Sequence, residues 1–182
     1  RMGYSRELCY EIFLQDYSKG NELWEILWQA GQEFNISPGG PNIIFRLEGG
    51  ILSYLADFDR TNNPYEVGLD WMIDLDQEDD FIGKEALREI SMRGPTKKLM
   101  GAEIKGDPIE SSNEDYLPVL IDGNRVGTMT AMVFSPRLQK NISYVFVDIE
   151  HAKIGQEIVI SSPNQSFEAL VVDIPWFDRA KK

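Results

Sequence analysis

Several residue types are nearly absent from this 182-residue chain, and each scarcity argues against a class of site. The one cysteine, Cys9, cannot form an internal disulfide, and its β-like surroundings predict a buried packing role. The one histidine, His151, lies in an acidic, lysine-flanked loop and is predicted to be solvated. Catalytic triads and zinc sites both need more histidine or cysteine than this. No run of 18 apolar residues is present, which argues against a transmembrane helix.

Basic residues are scarce relative to acidic ones. The chain has 18 Lys and Arg against 30 Asp and Glu, a net charge of −12. Residues 1–92 hold 18 acidic and 7 basic side chains, whereas residues 93–182 hold 12 and 11. An acidic surface repels nucleic acid and anionic membranes, so we predict neither partner. No apolar segment of a signal peptide follows Arg1, and we predict a cytoplasmic protein.

Candidate metal and phosphate sites are weak. The acidic run from Asp74 to Asp80 lacks the central glycine and the position-twelve glutamate of a calcium loop. We interpret it as a solvated turn, and we predict no metal site. The pairs Gly39-Gly40 and Gly49-Gly50 lack the lysine and the spacing of a phosphate-binding loop.

The first half of the chain predicts mixed helix and strand. Alternation over Tyr10–Leu14 predicts a strand, and apolar spacings of three and four over Asn21–Phe34 predict an amphipathic helix. Trp24 and Trp28 lie one helical turn apart, which is typical of packing against another element. Further helices are predicted from Pro41 to the Gly49-Gly50 pair and from Gly83 to Ile90.

The second half predicts β-structure. After a linker at Arg93–Thr96, six short segments are rich in Val, Ile, Phe and Met, which favours a small barrel or sandwich. Asp122-Gly123-Asn124 has the composition of a hairpin turn. The six predicted strands are Leu99–Ile104, Leu117–Ile121, Val126–Phe134, Ser143–Val147, Glu157–Ile160 and Phe167–Ile174.

Four groups of residues, in order along the chain, resemble motifs of the glycine-cleavage T-protein (aminomethyltransferase) family. The family patterns are R-T-G-Y-T-G-E-x-G-F/Y-E, then L-R-L-E-A-G, then P-x-E-A-G-L-x-W followed by D-F-I-G-K-E-A-L, and finally S-P-x-L-x-K-N-I. The matching segments are Arg1–Glu11, Phe45–Gly50, Asn63–Trp71 with Asp80–Leu87, and Ser135–Ile142. Together they extend over most of the chain.

The resemblance implies an α+β fold in two parts. Residues 1–92 would be the C-terminal part of a folate-binding α+β domain, and residues 97–182 a small antiparallel β-barrel domain of the aminomethyltransferase type. Phe81, Ile82, Ala86 and Leu87 would close the first domain by packing. The family begins upstream of Arg1 and carries its catalytic aspartate there. We therefore expect a C-terminal half without catalytic residues, whose partner is the N-terminal part of the same protein.

The resemblance implies tetrahydrofolate as the cofactor. The same resemblance assigns Tyr4, Glu11 and Arg179 to the tetrahydrofolate site. A carboxylate at Glu11 can accept two parallel hydrogen bonds from the amino and ring N–H groups of a pterin. Tyr4 can offer an aromatic face to the same ring. Arg179 resembles a C-terminal family arginine that reaches the active site. The alternatives are an exposed strand carboxylate at Glu11 and a packed tyrosine at Tyr4.

The implied function is one-carbon transfer from a small-molecule methyl or aminomethyl donor to tetrahydrofolate. Departures from the family pattern weaken glycine cleavage itself: Asn42 replaces an arginine, and Ser5-Arg6 replaces T-G. Asn63–Glu66 is similar to the dimethylsulfoniopropionate demethylase branch, which moves a methyl group from a sulfonium. Two alternatives stay open, a non-catalytic folate-binding or assembly protein and the folate module of a larger amine dehydrogenase.

Overall fold

The computed structural model describes residues 8–40 and 42–176. The chain forms two compact units, residues 1–42 and 43–182, which are described separately below. The domain division predicted between residues 92 and 97 stays a prediction. Among the described residues, no helix combines the length and the apolar character needed to cross a bilayer.

In the first unit, the predicted amphipathic helix is confirmed. Helix α1 spans Gly20–Gly31, with 3-10 turns at Tyr17–Lys19 and Gln32–Phe34 on either side of it. The helical path ends because Asn35 adopts a left-handed conformation with φ of 54°, a role for which asparagine is suited. The rings of Trp24 and Trp28 stack with centroids 6.1 Å apart and an interplanar angle of 8°.

The apolar face of α1 lies open. Gly31 is the one buried residue of this helix, while Ile26 is 56% exposed and Leu27 is also exposed. A Cβ at Gly31 would lie 2.6 Å from the Ile36 side chain, so glycine permits the chain to fold back there. The helix is therefore amphipathic in sequence but makes little core within its own unit.

The predicted strand at Tyr10–Leu14 is wrong in this structure. These residues have no regular secondary structure, and Phe13 is 85% exposed. A strand forms when its backbone groups pair with a neighbouring strand, and no described segment pairs with this one. Period-two alternation records which side chains share a face, but it does not supply the partner.

In the second unit, two predicted helices are confirmed. Helix α2 spans Ile43–Glu48; Pro41, the predicted first residue, lies outside the described residues. The amides of Gly50 and Ile51 bond back to the carbonyls of Leu47 and Arg46, and Gly50 has φ of +69°. This pair of bonds is the Schellman arrangement that glycine favours.

Helix α3 spans Lys84–Arg93 after Gly83. The predicted packing of Ile82 and Ala86 is wrong, since both side chains are exposed. Lys84 is the buried residue here, and its ammonium donates to the carbonyls of Gln77 at 2.6 Å and Asp79 at 3.1 Å. The acidic run from Asp74 to Asp80 is exposed, as predicted. Lys84 contacts this run through backbone carbonyls rather than through its carboxylates.

The six predicted strands form a closed antiparallel barrel, which confirms the predicted fold class. The barrel order is β1-β4-β3-β2-β5-β6, with β6 returning to β1. Closure pairs both edges of the sheet and leaves no edge open for aggregation. The strands are β1 Lys97–Ile104, β2 Leu117–Ile121, β3 Asn124–Ser135, β4 Lys140–Asp148, β5 Glu157–Ser161 and β6 Ser166–Val172.

Turn chemistry accounts for the β2–β3 hairpin. Ile121 pairs with Asn124, so Asp122 and Gly123 form a two-residue loop with φ of 49° and 78°. Positive φ at both positions defines the type I′ turn, whose twist matches that of paired strands. The predicted hairpin is confirmed.

Two apolar clusters fill the second unit. One lies inside the barrel and includes Val119, Met129 and Ile160. The other covers the outer wall of β1, β3 and β4, where Leu47 of α2 and Val67 pack against Leu99 and Phe146. The segment from residue 43 to residue 70 is thus held against the outside of the barrel, where the charged groups described next are found.

Candidate functional site

The residues assigned to the folate site are not brought together within the described part of the chain. Glu11 is exposed and lies in the first unit, on a segment without regular structure. Tyr4 and Arg179 lie outside the described residues. The three-residue site stays a prediction, and Glu11 is its one described member.

In the second unit, a buried carboxylate joins two of the family-like motifs. Glu48 is 1% exposed at the end of α2, and it accepts a 2.5 Å hydrogen bond from the Ser135 hydroxyl. Its other oxygen accepts from Nε of Arg137 at 3.0 Å and from Nη2 of the same guanidinium. The Arg137 guanidinium also lies 5.4 Å from the Phe45 ring centroid. Both oxygens of this buried carboxylate are therefore satisfied by charged or polar donors.

A second ion pair involves Arg46, which lies two residues before Glu48 on α2. Nη1 of Arg46 contacts Oδ2 of Asp57, and the Arg46 residue and the Asp57 side chain are 3% and 0% exposed. Asp57 also accepts from the Ser53 amide at 2.7 Å and the Thr130 hydroxyl at 3.1 Å. Nη2 of Arg46 lies 3.6 Å from Oε1 of Glu114. Removing either member of the central pair would leave the other charge buried without its main partner.

The position of Thr130 depends on an irregularity in the barrel. Met129 pairs with Val145 and Ala131 with Tyr144, so Thr130 is the extra residue of a β-bulge. Bulges redirect side chains out of the regular alternation. Here the bulged residue supplies the hydroxyl that bonds Asp57.

Tyr144 closes this network from β4. Its hydroxyl lies 3.2 Å from the Arg46 carbonyl and 3.1 Å from the Leu47 carbonyl, and it is fully buried. The Arg46 guanidinium stands 5.8 Å from the Tyr144 ring centroid. The carbonyls at the end of α2, which already accept the amides of Ile51 and Gly50, thereby gain a second donor.

The third motif packs on the same face. Asn63 Oδ1 accepts from the amides of Tyr65 and Glu66 at 3.1 and 3.2 Å, which makes a tight turn. The carbonyl of Glu66 accepts from the Leu99 amide at 2.7 Å. Three motifs that are far apart in sequence therefore meet on the outer wall of the barrel.

Sequence reasoning missed Asp57, Thr130 and Tyr144. Asp57 is one of many acidic residues, and it lies beyond the end of α2, so no helical or strand periodicity links it to Arg46. Arg46 and Glu48 are two charged residues within a short apolar helix, and this pattern could have indicated buried ion pairs, because buried charges need partners. The sequence alone does not say which residues those partners are.

A cavity of about 430 Å³ opens beside the Asp57 pair, between residues 57–62 and the barrel wall. Asp59 lies at this cavity, and the hydroxyl and amide of Thr61 and the charge of Lys97 hold the pKa of the Asp59 carboxyl below its usual value. Among the described residues, no group of His, Cys, Asp and Glu could hold a metal ion.

Comparisons with known proteins agree over both parts of the chain. Residues 1–77 match the family model of the GCVT N-terminal domain, and residues 97–178 match that of the glycine cleavage T-protein C-terminal barrel domain. The chain has a TM-score of 0.66, at 20% identity, to the crystal structure of the glycine cleavage system aminomethyltransferase T from Bartonella henselae. That likeness covers 74% of this chain and 37% of the other, and it supports the fold.

Two kinds of named protein are found among the curated relatives. An aminomethyltransferase of Parasynechococcus marenigrum is 34% identical over 99% of this chain and 47% of its own length. A dimethylsulfoniopropionate demethylase of Ruegeria pomeroyi is 34% identical over 90% of this chain and 44% of its own length. The chain thus spans about half the length of these relatives. By both family models and by these relatives, the chain belongs to the glycine-cleavage T-protein family.

Proposed function

We propose that this chain is the folate-recognising and barrel part of a tetrahydrofolate-dependent one-carbon transferase. The observation that carries the proposal is the family membership of both segments, residues 1–77 and 97–178. Relatives named as an aminomethyltransferase and as a demethylase both support transfer of a one-carbon group. In this proposal, no residue of this chain breaks or forms the bond to the carbon.

Glu11 is the residue that we assign to the pterin. Its side chain is exposed in the first unit and therefore open to a ligand. Two carboxylate oxygens can accept the parallel amino and ring N–H groups of the pterin, and charge-assisted pairs of this kind are strong and directional. Tyr4 and Arg179 are proposed to complete the site on the strength of the family resemblance.

The buried ion pairs have a supporting role in this proposal. Glu48 and Asp57 tie α2 and the segment after it to the barrel wall through Arg137, Ser135 and Thr130. A buried carboxylate whose oxygens are already hydrogen-bonded is a rigid anchor rather than a group available to a substrate. We therefore propose that these residues position the backbone and do not bind the donor.

For the donor, we propose a small molecule with a methyl or aminomethyl group on nitrogen or sulfur. A sulfonium carries its own good leaving group, so its transfer needs mostly positioning and proton handling. The Asn63–Glu66 segment that favoured the sulfonium branch is a packed turn, with Glu66 buried. The sequence of this segment therefore supports similarity of fold to the sulfonium branch. The donor itself is to be identified by a screen of candidate substrates.

Binding of tetrahydrofolate to the full-length protein tests the role of Glu11. We expect Glu11→Ala to weaken binding by at least about 1.5 kcal/mol, as for loss of a hydrogen bond to a charged group. Isothermal titration calorimetry measures this, with Glu22→Ala as a control, because Glu22 is an exposed carboxylate on α1 of the same unit. Equal affinities in wild type and Glu11→Ala would remove Glu11 from the site.

Turnover by the full-length protein tests the transferase proposal itself. The protein is incubated with tetrahydrofolate and a panel of sulfonium and N-methyl amine donors, and the folate products are separated by chromatography. We expect one donor to give methyl-folate, with release of the demethylated sulfide or amine. Folate binding without any product from the whole panel would favour a non-catalytic folate-binding protein.

A further inference from the structure

The cavity of about 430 Å³ in the second unit has the size of a small-molecule site. Its wall includes the aromatic side chains of Phe58 and Phe146, and Lys97 and Arg125 contribute cations to it. All of these residues belong to the second unit. Nothing in the folate proposal uses this cavity.

Two cations approach one pair of neighbouring barrel residues. Phe146 and Thr128 are direct register partners on β4 and β3, which places their Cβ atoms about 5 Å apart. The Lys97 ammonium stands 5.1 Å from the Phe146 ring centroid, and Nη2 of Arg125 donates to the Thr128 hydroxyl at 2.9 Å. The cations therefore bracket this pair within the cavity wall.

Neither cation forms a close ion pair with a described carboxylate, although Lys97 and Asp59 attract each other electrostatically. Among the described residues, no Asp or Glu oxygen comes within 4.0 Å of Lys97 or Arg125. Arg125 bonds only neutral oxygens, those of Gly127 and Thr128. Both cations line the cavity, and both keep N–H donors that no described carboxylate occupies at hydrogen-bonding distance.

The carboxylates of the same cavity are mostly engaged elsewhere. Asp57 is paired with Arg46, and Asp59 accepts the hydroxyl and amide of Thr61 at 2.6 and 2.8 Å. Asp148, the register partner of Lys97, is exposed, and Lys97 has turned over Phe146 instead of pairing with it. The available donors of Lys97 and Arg125, next to the Phe146 ring, suit an anion that also has an apolar part.

We propose that this cavity binds a small organic carboxylate, with the carboxylate between Lys97 and Arg125 and the apolar part against Phe146. Arg125 can offer a planar pair of donors and Lys97 a point charge, a combination suited to a carboxylate. The aromatic wall favours a ligand with a ring over a bare inorganic anion. This site is independent of the folate site proposed at Glu11.

Titration of the 182-residue chain with benzoate at low salt tests the proposal. We expect saturable binding with Kd below about 1 mM, and at least tenfold weaker binding in Lys97→Met and in Arg125→Gln. Methionine keeps the apolar stem over Phe146, and Arg125 is exposed, so neither change removes core packing. Lys140→Met is the control, because Lys140 pairs with Glu103 away from this cavity. Far-ultraviolet circular dichroism checks that each variant is folded.

Two further ligands sharpen the outcome. Benzamide has the shape of benzoate without its charge, and we expect it to bind at least tenfold more weakly. Inorganic phosphate tests charge without a ring, and we expect it to compete poorly. Absence of saturable benzoate binding, equal binding of benzamide, or unchanged binding in both cavity variants would each overturn the proposal.

Discussion

The two units of this chain differ in how much of their amphipathic sequence they bury among their own described residues. In the first unit, α1 has a well-formed apolar stripe, yet Gly31 is its one buried residue. In the second unit, comparable apolar residues such as Ile160 and Val119 are completely buried inside the barrel. The difference is not one of composition. A barrel supplies its own opposite wall, whereas a helix needs a second element to cover its stripe.

The charged residues show the same contrast. Glu11 is exposed in the first unit, where water solvates its charge. Glu48 is buried in the second unit, and its oxygens are bonded by Ser135 and Arg137. A carboxylate that is open to solvent can take part in binding, while a buried carboxylate with both oxygens hydrogen-bonded contributes to structure. This comparison gives the predictions below, from the largest effect to the smallest.

The largest effect is expected from breaking the buried ion pair of the second unit. Asp57→Asn keeps the shape but leaves Arg46 buried with Glu114 at 3.6 Å as its nearest remaining carboxylate. We expect a loss of about 3 to 5 kcal/mol in the free energy of unfolding, measured by urea denaturation. Asp148→Asn, an exposed carboxylate in the same unit, is the control and should change stability by less than about 0.5 kcal/mol.

A matched pair of isoleucines tests the contrast directly. Ile160→Ala in the barrel interior should cost about 3 kcal/mol, because it removes apolar contact and leaves a cavity. Ile26→Ala on the exposed face of α1 should change stability by less than about 0.5 kcal/mol. Urea denaturation of both variants measures the difference. Similar losses for the two would mean that the α1 face is covered in solution.

Removing one hydroxyl tests the contact between β4 and the end of α2. Tyr144→Phe leaves the Arg46 and Leu47 carbonyls without their side-chain donor while it keeps the ring in place. We expect a loss of about 1 kcal/mol, typical of one buried hydrogen bond, because both carbonyls keep their backbone donors from Ile51 and Gly50. Hydrogen exchange would show faster opening near residues 46–51. Unchanged exchange there would contradict the proposed contact.

The smallest effect concerns the exposed turn at Asp59. The Thr61 hydroxyl bonds Asp59 and is the largest cause of its lowered pKa, so Thr61→Val should move the pKa of Asp59 up toward its ordinary value. A lowered pKa stabilises the fold above the unfolded value, and that contribution is lost as pH falls through the folded value. An NMR titration of the Asp59 carboxyl below pH 5 measures the change. An unchanged titration would show that the Thr61 amide and Lys97 suffice.

Local patterns were sufficient where neighbours in sequence decide the structure. The Asp122-Gly123 hairpin, the Gly49-Gly50 helix end and the six strands follow from turn chemistry and residue preference. The strand predicted over Tyr10–Leu14 is wrong because alternation of apolar residues does not provide a neighbouring strand to pair with. The predicted packing of Ile82 is wrong because apolar character alone does not place a side chain against a neighbour. Lys84 is buried instead, and its ammonium bonds backbone oxygens seven and five residues earlier.

By itself, the sequence determined the α+β class, the barrel, the family and Glu11 as a candidate for pterin recognition. Tertiary structure alone decided that Glu48 would meet Ser135 and Arg137, that Arg46 would pair with Asp57, and that Lys97 and Arg125 would face one cavity. The physical reason is the distance along the chain over which each kind of interaction acts. Turn and strand preferences act over a few residues, whereas a buried charge is satisfied by whichever group the closed barrel brings within about 3 Å of it.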